Sequence, residues 1–182
     1  MSDEIDALAA SWPRPLIAAG SSEAVARWWC ESRVSAITAG EPPFARHRAT
    51  PALCSALFEI RRARWLVRGL EEAAKVLSAQ HQGLKQAPAA QVEAGRRRIS
   101  RLLVLSNDGS DRFYRDVEKL CRAHSVRLEA VVLECDEVEL GEAIFGPGRA
   151  ARAVLLDHKE AVVHFLETLE VGSDESASRE SH

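Results

Sequence analysis

Arg64-Trp65-Leu66-Val67-Arg68-Gly69-Leu70-Glu71-Glu72-Ala73-Ala74-Lys75 is the stretch on which the reading of the fold turns. The apolar run Trp65-Leu66-Val67 stands directly before Arg68 and Gly69, and Leu70, Ala73, Ala74 and Leu77 follow at helical spacing. The pattern predicts a short strand that turns sharply into a helix. Arg61, Arg62, Arg64, Arg68 and Lys75 crowd around that turn. A helix N-terminus offers unpaired N–H groups and the positive end of the macrodipole, so it suits phosphate. Glu71 and Glu72 fall in the first helical turn, where a carboxylate favours the dipole and also accepts hydrogen bonds from the amino or imino groups of a base. The plainer alternative is a solvated amphipathic helix start with arginines beside it.

The composition narrows the class. A chain of 182 residues fits one domain with appendages. Its 46% apolar share is enough for a core, and a net charge of −3 excludes a protein that coats nucleic acid indiscriminately, which needs a broad basic surface. Cys30, Cys54, Cys121 and Cys135 are widely separated, so neither a zinc knuckle nor a disulfide framework is indicated. No apolar run approaches the roughly twenty residues of a membrane span, and Asp3, Glu4 and Asp6 are unlike a secretory signal. The expected location is cytoplasmic or nuclear, including the nucleolus, with no membrane partner and no cofactor.

Residues 1–50 read as an N-terminal extension with one helix over Ala24–Ile37 and a proline-containing linker over Glu41–Thr50. Trp12, Trp28 and Trp29 are its distinctive content, and side chains of that size lie either against the main domain or, through Trp28 and Trp29, against a partner protein. Residues 51–171 form the expected main domain. Leu53, Leu57 and Ile60 predict a helix before the Trp65–Val67 strand, and the helix after Gly69 fades near Ser78. Residues 78–98, rich in Gln and without a strong apolar period, read as a long inserted loop closed by Arg96-Arg97-Arg98.

Three buried strands follow, at Leu102–Leu105, Val131–Leu133 and Ala153–Leu156. Asn107-Asp108-Gly109-Ser110 is turn chemistry, and Phe113, Val117, Leu120 and Cys121 mark the inner face of a helix. Asp136-Glu137-Val138-Glu139 resembles a capping box, and Asp157-His158-Lys159-Glu160 reads as a second one before the last helix. Residues 172–182 read as a disordered acidic tail. Alternating helices and short apolar strands give an α/β sandwich.

Taken in order, three segments resemble the superfamily of kink-turn RNA-binding proteins, which includes ribosomal proteins of the L seven Ae and L thirty e type, snoRNP core proteins, ribonuclease P subunits and the SECIS-binding protein. Leu66 to Lys75 is similar to the family's strand, glycine, Asn-Glu pair and lysine. Leu103 to Ser110 is similar to its central strand and acidic turn. Glu139-Leu140-Gly141-Glu142-Ala143-Ile144, with the loop and strand that follow, is similar to its Leu-Gly-x-Ala segment and last strand. The resemblance covers about Ala52 to Val171. It implies a three-layer α/β/α sandwich with a small mixed sheet that binds a bent, internally looped RNA.

The expected RNA-binding residues are Arg64 and Arg68 from the basic turn and, by that resemblance, Gly69, Glu71, Glu72 and Lys75 at the helix start, Asn107 and Asp108 in the acidic turn, and Ile144, Phe145 and Arg149 in the loop that covers a flipped-out base. Phe145 is the residue placed to stack on that base; its alternative is a core phenylalanine at a helix end. The family's asparagine position holds Glu71, which accepts hydrogen bonds but does not donate them. The SECIS-binding branch also lacks that asparagine.

The first function expected is therefore an RNA-binding subunit of a ribonucleoprotein, with structured RNA and other proteins of the particle as partners. The second is a protein-interaction module of the growth-arrest and DNA-damage branch, which carries Glu-Ala-Ala-Lys at the same place and is acidic. Between Arg61 and Arg101 ten basic residues face three acidic ones, which favours RNA. An enzyme is not expected, since Asn107-Asp108-Gly109 has no glycine-rich fingerprint or second carboxylate to support it.

Overall fold

The computed structural model describes residues 1–86 and 97–171. The described chain is an α/β fold: a mixed five-stranded sheet with helices on both faces, the strands ordered β1-β4-β3-β5-β2. The strands are β1 (Ala45–Arg48), β2 (Leu66–Arg68), β3 (Arg101–Leu105), β4 (Leu128–Glu134) and β5 (Ala153–Leu156). β4 runs parallel to both β1 and β3, whereas β5 is antiparallel to β3 and to β2.

The three central strands read as unbroken apolar runs because both of their faces are covered. Leu102, Val104, Val131, Leu133, Val154 and Leu156 point into one core layer, and Leu103, Leu105, Ala130, Val132, Ala153 and Leu155 into the other. The second layer is closed by α5 (Leu70–Gln86) and α6 (Asp111–Ala123), through Ala73, Leu77, Tyr114 and Val117. The first is closed by α4 (Pro51–Arg62), α7 (Glu137–Phe145) and α8 (Lys159–Thr168), joined by α1 (Ser2–Ser11), α2 (Arg14–Ala18) and α3 (Ser22–Thr38).

Residues 1–50 are thus an integral part of the fold, which corrects their reading as an extension with one helix and a linker. They form three helices and the edge strand β1, which lies within the predicted linker. Ala-Arg-His-Arg has weak strand propensity. It becomes a strand because its backbone pairs with β4, from Ala45↔Val131 to Arg48↔Glu134, and because the Ser32 hydroxyl of α3 accepts from Arg46 N at 2.8 Å and donates to Arg46 O at 3.1 Å on the outer side. That contact blunts an otherwise open sheet edge. Trp12 and Trp29 are fully buried and meet edge to face at 5.3 Å, with Trp28 at 5.6 Å from Trp29. Trp29 is therefore core and not a partner contact; Trp28 is half-buried against His47.

Two further expectations change. Residues 78–86 continue α5 and are not loop. Their apolar period fades because this end of the helix stands away from the sheet, where Ala, Gln, Leu and Lys sustain the helix by propensity. Residues 87–96 and 172–182, and with them Arg96 and the expected acidic tail, lie outside the described residues. The capping box at α7 is present, with Asp136 Oδ1 accepting from Glu139 N at 2.8 Å and Glu139 Oε2 from Asp136 N at 2.9 Å. At α8 the cap is His158, whose Nδ1 accepts from Glu160 N at 3.1 Å, while Asp157 turns away to pair with Arg101 at 2.8 Å.

Candidate nucleic-acid interface

Sheet register decides which residues meet. Arg68 pairs with Val154 and Leu105 with Ala153, so the end of β2, the end of β3 and the start of β5 lie at one end of the sheet. The start of α5, the turn after β3 and the loop after α7 converge there. Gly69 links them: its φ of +91° turns β2 into α5, its N–H donates to Ala153 O at 2.8 Å, and its carbonyl accepts from Ala73 N at 3.0 Å. A Cβ at Gly69 would meet nothing within 4 Å, so backbone conformation and not crowding calls for glycine.

Glu71, Glu72 and Lys75 are exposed on the first turns of α5. Lys75 Nζ reaches Glu72 at 2.9 Å and Glu71 at 3.5 Å, and these bonds, led by Glu72, raise its pKa above the ordinary value. Opposite them the Arg68 guanidinium lies 5.0 Å from the centre of the Phe145 ring and donates to Ala150 O. Arg61 lies 5.4 Å from the same ring and donates to Ile144 O at 3.2 Å. Phe145 is half-buried under these two cations, an arrangement that holds the ring in place and surrounds it with positive charge.

The loop itself is built on a close approach. Gly141 of α7 faces the backbone of Arg149 and Ala150 with no room for a side chain. Arg149 is exposed beyond that contact. Asn107 and Asp108 are exposed in the turn after β3. Asp108 Oδ1 accepts from Glu137 N at 3.1 Å, joining this turn to the N-terminus of α7. Partial burial pushes the Asp108 pKa up, but the nearby Ser106 hydroxyl, the N–H groups of Glu137 and of Asp108 itself, and the Arg152 charge outweigh it and hold the carboxyl below its ordinary value. The Ser106 hydroxyl lies close by without well-formed hydrogen-bond geometry.

Two expected members of the site are elsewhere. Ile144 is fully buried in the core and offers nothing to a ligand, because the last turn of α7 points it at the sheet. Arg64 precedes β2, beyond the end of the strand away from Arg68. It occupies a left-handed position, φ +62°, that closes α4, with Arg64 N donating to Arg61 O at 2.9 Å and Trp65 N to Ile60 O at 3.2 Å. Arg61, one of the basic residues that crowd this turn in the sequence, belongs to the site through Phe145. Nothing local in α4 signals this, since the contact joins residues more than eighty positions apart.

The basic count between Arg61 and Arg101 is therefore divided. Arg61 and Arg68 serve this end, while Arg64, Arg97, Arg98 and Arg101 lie toward the other, where Arg97 pairs with Glu129 and Arg98 donates to Trp12 O at 3.2 Å. Two shallow hollows, of about 210 and 220 Å³, flank α6 and do not touch the Phe145 end. Burial pushes the Cys121 and Cys135 thiols up to about 12, so neither is a ready nucleophile. Among the described residues no group of three or more His, Cys, Asp or Glu is arranged to hold a metal ion, and no helix is long and apolar enough to cross a membrane.

No family model matches the chain, and a comparison with curated proteins finds no match. Among solved structures it is similar to a protein with unknown function from Bacillus halodurans C, at 20% identity and a TM-score of 0.40, over 62% of this chain and 95% of that one.

Proposed function

We propose that this protein is an RNA-binding subunit of a ribonucleoprotein, and that it recognises a bent, internally looped RNA with the start of α5 and the loop after α7. The observation that carries this reading is the meeting of three separate segments at one end of the sheet. The exposed first turn of α5, the Asn107-Asp108 turn and the Phe145–Arg149 loop surround a surface lined by Arg61 and Arg68. Unpaired bases in a bent RNA offer amino and imino donors that exposed carboxylates accept, π-faces that stack on aromatic or guanidinium planes, and phosphates that arginines contact. Glu71 and Glu72 supply the first, Phe145 with Arg68 the second, and Arg149 the third.

The alternative is a protein-interaction module with little RNA affinity. It is favoured by the pairing of Lys75 with both Glu71 and Glu72, which takes up the one cation and leaves the helix start net negative before any phosphate arrives. Crosslinking and sequencing of RNA bound to the native protein, followed by titration at two salt concentrations, separates the two. Enrichment of one structured RNA, with affinity that persists at high salt and depends on Glu72, supports the RNA reading. Absence of enriched RNA, with co-purifying proteins in its place, sinks it in favour of the interaction module.

A further inference from the structure

The opposite end of the sheet holds a second concentration of charge. Arg101 begins β3, Ser100 precedes it and Arg127 precedes β4, where Arg127 O accepts from both Ser100 N and Arg101 N at 3.0 Å. The two arginine side chains both turn onto Ser100: Arg101 Nη1 donates to its carbonyl at 2.7 Å, and Arg127 Nε makes a long contact of 3.4 Å with its hydroxyl. Among the described residues, one carboxylate answers them. Asp157 accepts from Arg101 at 2.8 Å and from Gln80 at 2.7 Å, so its Oδ1 is already shared.

Two imidazoles flank the pair. His81, exposed on α5, and His124, at the end of α6, meet edge to face at 5.8 Å, and the turn that follows brings Arg127 N to His124 O at 3.0 Å. Half-burying two like-charged guanidiniums side by side is unfavourable unless an anion compensates them. Burial, aided by Arg101 and opposed by Asp157, lowers the Arg127 pKa; burial, His81 and Arg127 lower that of His124.

We propose that Arg101 and Arg127, flanked by His81 and His124, form a binding site for a phosphate group. A tetrahedral oxyanion offers several acceptors to donors arriving from different elements, and guanidinium forks suit it. The site lies on the far end of the sheet from Phe145 and stands independently of the reading given above.

The test uses the full chain and inorganic phosphate, with the His124 ring followed by NMR at constant ionic strength set by chloride. Phosphate is expected to give a saturable shift and to move the His124 pKa upward, because a bound anion stabilises the imidazolium. Arg127→Gln weakens that binding roughly tenfold or more, as expected for loss of a charge-assisted hydrogen bond, and Arg127→Lys restores part of it. Exposed His81→Glu, which leaves the packing of Arg127 untouched, weakens it as well. Arg68→Gln, at the other end, does not. A response reproduced by chloride alone, or one unchanged in both Arg127→Gln and His81→Glu, overturns the proposal. A short single-stranded ribo-oligonucleotide then identifies the source: competition with phosphate at lower concentration marks an RNA backbone, and its absence marks a free phosphate or phosphomonoester.

Discussion

Gly141 and Arg149 touch through their backbones: a Cβ on Gly141 would lie 1.9 Å from the Arg149 carbonyl oxygen and 2.6 Å from two backbone atoms of Ala150. The loop that carries Arg149 is therefore seated directly on α7. Gly141→Ala is expected to destabilise the fold by about 1–3 kcal/mol, the usual cost of forcing extra volume into a packed place. Denaturant unfolding of the variant checks this. A stability equal to the parent chain would mean that the loop is not held where Gly141 puts it.

Arg64 offers the opposite case. A residue with a Cβ in the left-handed position that closes α4 bears a backbone cost of roughly 1 kcal/mol that glycine does not. Arg64→Gly should raise the thermal midpoint while leaving the proposed RNA binding unchanged, since the residue stands at the far end of β2. Loss of RNA affinity in this variant would return Arg64 to the interface.

Trp29 tests whether residues 1–50 belong to the domain. Its ring is fully buried against Trp12, and Trp29→Ala should cost about 3–5 kcal/mol in a single cooperative transition. A second, separate transition, with the rest of the chain unaffected, would show that the N-terminal helices fold on their own.

Asp108 makes the stability depend on pH. Its folded-state pKa is depressed below the ordinary 3.8, so its ionised form contributes stability that is present above that value and is lost as the pH falls through the folded pKa. Asp108→Asn keeps an acceptor for Glu137 N but removes the charge. The variant should be less stable than the parent at neutral pH, and the two unfolding curves should converge in acid. A gap that stays constant down to acidic pH would assign the effect to packing.

Glu72→Ala and Lys75→Ala are each expected to weaken binding to a bent RNA, for different reasons. Loss of Lys75 should also reduce the salt dependence by about one counterion, whereas loss of Glu72 should leave the salt slope unaltered. Filter-binding titrations across a salt series distinguish them. A stronger complex after Glu72→Ala would mean that the carboxylate only repels phosphate.

The sequence by itself determined the α/β class, the three central strands, the turn of β2 into α5 at Gly69 and the capping box at Asp136 and Glu139. These are local matters. An apolar run, a helical period or a cap is written in residues within a turn or two of each other, and covering both faces of a strand leaves an unmistakable continuous signal. Only the tertiary structure decided that Ala45–Arg48 is a strand, because its hydrogen bonds come from β4 and from Ser32 rather than from its own propensity. It also decided that Arg61 guards Phe145 while Arg64 does not, that Ile144 belongs to the core, and that Arg101 stands beside Arg127. Strand register sets which end of the sheet each residue reaches, and register is fixed by contacts between segments distant in the chain, which no window of sequence contains.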